Sequence, residues 1–518
     1  MFIDSIKYKA WVWILAIIAA SMSISIFSTN FFQFALIFYW LFMPGIRLKF
    51  SDIKAQKGLW VFLSGYVVLL IGMIYTSDFN YGLHDLKIKL PLLILPLIIG
   101  TSKKINFQEL RFVLMAFIAG IFLSSIISTG VFLGLGDLDV VKHSDISIFI
   151  SHVRFSLLVV LAFFFSAYYF LKEDDRTKKI LLGVLPLWFA FFLFILHSFT
   201  GIIILFILTL ITVTVLIKKS NELMVKVFGY IAIITVLLLS ASYITKCIGK
   251  FYNIDIVNIE TLPTHTALGN EYKHHTNLTE IENGHYVWLY YSKEEMTKAW
   301  NKTSKIKVSE KDKRGQTLKY TLIKYLTSKN LTKDEYGISQ LSKEDISNIE
   351  NGLTNYIYAK KYSLYPRIYQ IIWEFDQYKK TGNPSGHSVS QRIEYLKTGL
   401  SIIKENLFIG TGTGDVKQAF TKKYDEQNSK LSNRWRLRTH NQFITFTISS
   451  GIIGFILIMI SWFYPVFYEK RWSSFLFLIF FATALLSMLN EDTLETSTGV
   501  TFFAFFYALL LFGHTNEQ

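Results

Sequence analysis

The chain predicts an all-α polytopic membrane protein of about twelve transmembrane helices, with one large, mainly helical extracytoplasmic loop domain between the ninth and the tenth. Three observations lead there. Of its 518 residues, 52% are hydrophobic and 16% aromatic, an apolar share above that of ordinary soluble domains. Apolar runs of about 17 to 25 residues, long enough to cross a ~30 Å hydrocarbon core, recur towards both ends. The basic residues of the short connections also alternate. Eighteen of them, including Lys7, Arg47, Lys103, Lys172, Lys218 and Lys470, fall in one set of segments, and only Lys87, Lys89 and Lys142 in the other. That asymmetry is the positive-inside signature, so the short-loop part of the +15 net charge reports topology and gives no argument for a nucleic-acid partner.

Taken in order, spans are expected near residues 11–28, 31–46, 59–76, 88–100, 112–135, 153–171, 180–197, 200–217, 226–246, 440–464, 473–489 and 498–512. Both termini are then cytoplasmic. Lys7 and Lys9 ahead of the first run fit a signal-anchor better than a cleaved leader, because so many spans follow. The fourth span carries Pro91 and Pro96 and is expected to be kinked, tilted or partly re-entrant. These spans divide the chain into an N-terminal bundle of about nine helices (1–246), a polar extracytoplasmic domain (247–439) and about three C-terminal helices (440–518). Asp78 to Asp85, Asp137 to His152 and Asn490 to Thr496 fall on the same side as the polar domain.

Between Lys246 and Arg438 stand 31 basic and 21 acidic residues. That excess suits phosphate groups or membrane lipids, and equally a solvated lysine-rich surface. Cys247 is the sole cysteine, so no intrachain disulfide forms. The patterning in this domain is helical. Ser342 with Asp345 opens a short helix stopped by Gly352, and Tyr365 to Lys380 forms another ended by Gly382. Ser388 and Gln391 make a capping-box pattern starting a helix to about Asn406, with an apolar face of Ile393, Leu396, Leu400, Ile403 and Leu407. Gly284 to Tyr291 reads as a short strand.

Several residues could carry chemistry. Arg392 lies in the first turns of the helix from Ser388, where a cation calls for an anion; a phosphate corner and a salt bridge to Glu394 or Glu405 both satisfy that. Gly410-Thr411-Gly412-Thr413-Gly414-Asp415 lacks the Lys-Ser/Thr ending of a nucleotide loop. It is either a tight connection or a place where backbone approaches a sugar or phosphate. Arg154, near the outer end of the sixth span, snorkels to the interface or faces an anion. His440, preceded by Arg434, Arg436 and Arg438, is a helix-start cap or a general base, its ordinary pKa near 6.5 allowing proton uptake around neutrality. The remaining histidines lack metal-ligand spacing, and no metal or cofactor is expected.

His440-Asn441, nine residues, then Gly451-x-x-Gly454 resembles the signature of the O-antigen ligase and polymerase superfamily of bacterial envelope glycan enzymes. The many spans, the large loop before the motif, Gln391-Arg392-Ile393-Glu394-Tyr395 and the Gly410 to Asp415 segment fit the same pattern. One element departs from it: where family members often carry a Ser-Arg-Gly type sequence, this chain reads Ser198-Phe199-Thr200-Gly201, and Arg154 offers a substitute for the missing charge. The resemblance implies a metal-independent glycosyltransferase in the bacterial inner membrane, with its site on the periplasmic side. It would move a glycan from an undecaprenyl-pyrophosphate carrier to an acceptor hydroxyl, foremost that of lipid A core. His440 and Arg392 would be catalytic; Arg154, Arg438, Asn441, Gly410, Gly412, Gly414 and Asp415 would bind substrate, and Gly451 and Gly454 would allow close helix packing. A polymerase or a protein O-oligosaccharyltransferase of the same superfamily would need the same donor site. A solute transporter would share the span number, but the outer domain and the lack of paired half-repeats speak against it.

Overall fold

The computed structural model describes residues 2–43, 46–48, 50–135, 143–278, 280–360 and 363–515. The stretch from Asp137 to Lys142, part of an expected loop, lies outside them. The chain forms two compact units, Met1–Lys219 with Thr381–Gln518, and Ser220–Lys380.

The first stretch of unit one runs through α1 (Phe2–Ser21), α2 (Ile26–Phe42), α3 (Phe50–Ala55), α4 (Lys57–Ile71), α5 (Phe79–Lys89), α6 (Pro91–Gly100), α7 (Phe107–Phe132), α8 (His152–Lys172), α9 (Arg176–Ile195) and α10 (Phe199–Lys219). Local chemistry sets their starts. Asn106 and Glu109 close a capping box on α7, Asp175 caps α9, and Asp78 caps α5 through the Tyr81 amide. Pro91 occupies the first turn of α6, so the chain breaks between α5 and α6 at Leu90. With ten residues, α6 rises only ~15 Å, about half a hydrocarbon core.

Unit two opens with α11 (Leu223–Tyr252), an apolar helix none of whose most hydrophobic stretch is buried. It continues with a hairpin of β1 (Ile281–Glu282) and β2 (His285–Tyr286), then α12 (Lys293–Thr303), α13 (Leu318–Ser328), α14 (Glu335–Ser339), α15 (Lys343–Glu350) and α16 (Tyr365–Thr381). The strand expected over Gly284 to Tyr291 is thus two residues long, turned at Asn283 and Gly284, both at positive φ. Trp300, Met296, Leu318, Leu322 and Leu326 form the core. The Ser342/Asp345 capping box forms as expected, and Asp345 also accepts from the Tyr325 hydroxyl at 2.7 Å.

Unit one resumes with α17 (Ser388–Glu405), α18 (Val416–Glu426), α19 (Gln442–Tyr468), α20 (Phe475–Met488) and α21 (Ser497–Leu511). α21 is buried nearly throughout, and its Phe506 ring meets Phe117 at 4.9 Å and Phe165 and Phe480 at 5.9 Å. A helix now occupies each expected span. Six of them, α7 to α11 and α19, are long and apolar enough to cross a membrane; the other expected spans correspond to shorter helices. This is a multi-pass helical membrane protein.

Three expectations for the C-terminal part are corrected. The Ser388/Gln391 capping box does not form: the turn at Asn383 to Gly386 delivers the chain one residue early, His387 takes the N-cap position, and Ser388 is already helical. Of the apolar stripe of α17, Ile403 packs against the core while Leu396, Leu400 and Leu407 stay exposed. Tyr395, Thr398, Gly399 and Ile402 are buried instead, because Gly399 admits Thr439 and Ile444, whose methyl carbons lie 2.7 and 3.0 Å from where a Cβ would stand. Finally, the span expected over 440–464 is not straight. Gly451 has φ 66° and ψ −177°, and the Phe446 ring meets Trp462 at 5.8 Å, residues that a straight helix would hold ~24 Å apart. The helix therefore bends back on itself at Gly451.

Candidate functional site

His440 sits just before α19 in left-handed backbone, φ 51°, which turns its ring towards Tyr395 of α17, centroids 5.7 Å apart. Its Nδ1 lies 4.0 Å from a carboxylate oxygen of Glu491, whose other oxygen accepts from Arg392 at 2.8 Å. The salt bridge foreseen for Arg392 thus exists, with Glu491 as partner in place of Glu394 or Glu405. Burial pushes the His440 pKa down; Glu491 opposes this, and Arg392, Arg154 and Arg438 reinforce it. These influences favour the neutral imidazole over the imidazolium.

Those arginines arrive from three elements. Arg154 stands in the first turn of α8, and two residues on, Ser156 packs where a Cβ on Gly201 would be, 2.6 Å away. The start of α8 therefore runs beside the Ser198 to Gly201 element that lacks an arginine. Arg154 makes no hydrogen bond or ion pair among the described residues. The Nε of Arg392 and the Nε2 of Gln391 are buried without partners as well. Three donors thus converge near His440 with unused capacity, an arrangement that costs stability unless an acceptor arrives.

Arg438 is held differently. Its guanidinium donates at 2.7 Å to Glu495, whose second oxygen takes Lys89 at 2.8 Å and the Gln442 amide at 2.9 Å. Lys89 also donates to both oxygens of Asp85 at 2.6 Å, and Thr445 donates to Asp492 at 3.0 Å. Burial disfavours the Glu495 anion, yet Lys89 and Arg438 outweigh it and hold its carboxyl well below the usual range. Burial with the nearby Glu495 charge pushes Asp492 up. The Gln442 carbonyl accepts from the Leu494 amide at 2.8 Å, which fixes this acidic loop on α19.

Asn441 spends its side chain on structure: its oxygen caps the Ile444 amide at 3.1 Å and its nitrogen donates to the Leu489 carbonyl at 2.9 Å. The glycine-rich loop is occupied in the same way. Thr411 and Gly412 donate to the Ile448 and Ser449 carbonyls at 2.8 and 3.0 Å, Gly414 to the Thr76 hydroxyl at 2.8 Å, and Asp415 accepts from the Ser77 and Asp78 amides at 2.7 Å. A Cβ on Gly410 would stand 2.5 Å from the Gly451 nitrogen. This loop seats the bend of α19; it does not join the cluster at His440.

Sequence reasoning thus found His440, Arg392, Arg154 and Arg438, which the fold brings together, and missed Gln391, Lys89, Asp85, Glu491, Asp492 and Glu495. A signal existed: Asn490-Glu491-Asp492-Thr493-Leu494-Glu495 puts three carboxylates between two apolar runs, where ionisable side chains are costly unless paired. Lys89, one of only three basic residues in the sparsely charged connections, was another. Asn490 also donates to Thr200 at 3.3 Å, tying this loop to the start of α10.

No curated protein matches the chain. Residues 352–459, which contain Arg392, the glycine-rich loop, Arg438, His440, Gly451 and Gly454, match the family described as O-antigen ligase, a likeness that supports membership of the O-antigen ligase superfamily.

Proposed function

We propose that the protein transfers an oligo- or polysaccharide from an undecaprenyl-pyrophosphate carrier to an acceptor hydroxyl, most directly that of lipid A core, on the periplasmic face of the inner membrane. The observation that carries this reading is the set of unused donors, Arg154, Arg392 Nε and Gln391 Nε2, gathered beside a neutral histidine. Guanidinium forks match phosphate oxygens and take up leaving-group charge without a metal.

In this reading the acceptor hydroxyl loses its proton to His440 as its oxygen bonds to the anomeric carbon. The bond from that carbon to the pyrophosphate oxygen breaks, and the carrier leaves as its pyrophosphate anion against Arg392, Arg154 and Arg438. Direct displacement inverts the anomeric centre. Glu491 favours the tautomer with the proton on Nδ1, leaving Nε2 as the base. Asn441, Gly410, Gly412, Gly414 and Asp415 are assigned to scaffolding, since their polar groups already have partners. The division into domains at 247–439 is kept as a topological proposal.

A deletion strain tests the reading. Its envelope glycan run on a gel should show free lipid-linked polymer and bare core; single repeats on core would assign polymerisation instead. His440→Ala and Arg392→Ala should each fail to restore display while still inserting in the membrane. General-base removal costs about 10² to 10⁴ in rate. Near-normal display from either removes that residue from the mechanism.

A further inference from the structure

α17 carries an apolar stripe that no protein surface covers. Leu396, Leu400 and Leu407 are 42%, 46% and 44% exposed, and the stripe runs on into Phe408 and Ile409, at 66% and 62%. An amphipathic helix in water buries such a face; this one buries Tyr395, Thr398, Gly399 and Ile402 on its opposite side. Two observations say what covers the stripe. The Leu407 and Phe408 carbonyls accept from Ile452 and Ile453 at 2.8 and 3.4 Å, so the stripe abuts the outward face of α19 beyond its bend. There Ile453, Ile456, Leu457 and Ile460 are all about half exposed on a helix apolar enough to cross a membrane. Along the stripe stand two exposed lysines, Lys404 and Lys397, each one position on from Ile403 and Leu396 and so flanking the apolar face; Lys397 also donates to Glu394 of the same helix at 3.1 Å.

We propose that α17 is a membrane-docking helix: its stripe of Leu396, Leu400, Leu407, Phe408 and Ile409 enters the lipid leaflet, and Lys397 and Lys404 meet anionic headgroups at its surface. Apolar residues on one side with cations at the border are what a helix at a bilayer surface needs. Arg392 lies one turn before Leu396 on the same helix and near the same face, so this docking sets the depth of its guanidinium at the phosphate layer. The inference concerns the helix and the lipid surface and stands apart from which glycan is transferred.

Cys247 is the sole cysteine, so a Cys247→Ser chain accepts one label at a chosen place. An environment-sensitive dye is attached at Leu400→Cys, and at Thr421→Cys on α18 as an exposed comparison, in vesicles of phosphatidylethanolamine and phosphatidylglycerol. At Leu400, shallow spin-labelled phospholipid should quench the dye at least twofold more than at Thr421, and aqueous iodide should quench it less. Leu407→Cys serves if Leu400→Cys does not fold. Iodide access without lipid quenching overturns the proposal, as does equal lipid quenching at both sites. Shielding from both quenchers also overturns it, since a protein surface then covers the stripe.

Discussion

His440 decides most at the scale of single residues. Its neighbours pull its basicity in opposite directions, Glu491 up and the three arginines down, with burial the largest influence. A base of lowered pKa stays neutral to lower pH, so the acid limb of the transfer rate should lie below the ordinary histidine value of about 6.5. Glu491→Gln removes the charge that favours the imidazolium and should move that limb further down, with a reduced rate. Arg154→Gln removes a cation and should move it up. A pH–rate profile of each variant checks the pair, and shifts of the same sign would refute the assignment of His440 as base. His440 and Arg438 were legible in the sequence because a histidine and arginines at a membrane border stand out by type, and Arg392 because a cation in the first turns of a helix calls for an anion. Glu491 and Lys89 signalled themselves only as charges between apolar runs; that Glu491 pairs with Arg392 and Lys89 with Glu495 as well as with nearby Asp85 joins elements far apart in the chain, which only folding shows.

Among the elements, the bend of α19 explains why a histidine motif should end in a glycine. At φ 66° an L side chain is strained, and a Cβ on Gly451 would fall 2.2 Å from the Phe408 carbonyl oxygen. Gly451→Ala is expected to cost about 1–3 kcal/mol and to lower both the unfolding temperature in detergent and the transfer rate. Gly454→Ala meets the Ser450 Cβ at 2.5 Å, with Val68 at 3.2 Å, and should cost less, because no positive-φ strain adds to the clash there. Equal unfolding temperatures for Gly451→Ala and wild type would refute the hinge. Spacing in the sequence pointed to glycines that allow close packing. It could not reveal a reversal, since hydrophobic periodicity carries no record of backbone direction. For the same reason the apolar stripe of α17 was legible as a stripe while what covers it was not: periodicity shows that a face is apolar and does not say whether protein or lipid meets it.

For the whole molecule, hydropathy length and lysine asymmetry placed a helix at each expected span, because both follow from the membrane as solvent rather than from tertiary packing. Where the reading was coarse, at α6 and α19, proline and glycine break the helix inside the apolar run. The alternation of charge further predicts that the α8–α9 connection and α18 lie on opposite sides of the membrane. In the Cys247→Ser chain, a membrane-impermeant maleimide on intact spheroplasts should label Thr421→Cys and leave Asp174→Cys unlabelled until the cells are opened. Labelling of both from outside would contradict the topology. The most direct test of the central claim is transfer itself, measured with purified protein in liposomes supplied with an undecaprenyl-pyrophosphate-linked glycan and lipid A core. Wild-type protein should form the glycan–core product and His440→Ala should not; an inert wild type, or a His440→Ala variant as active as wild type, would contradict the account.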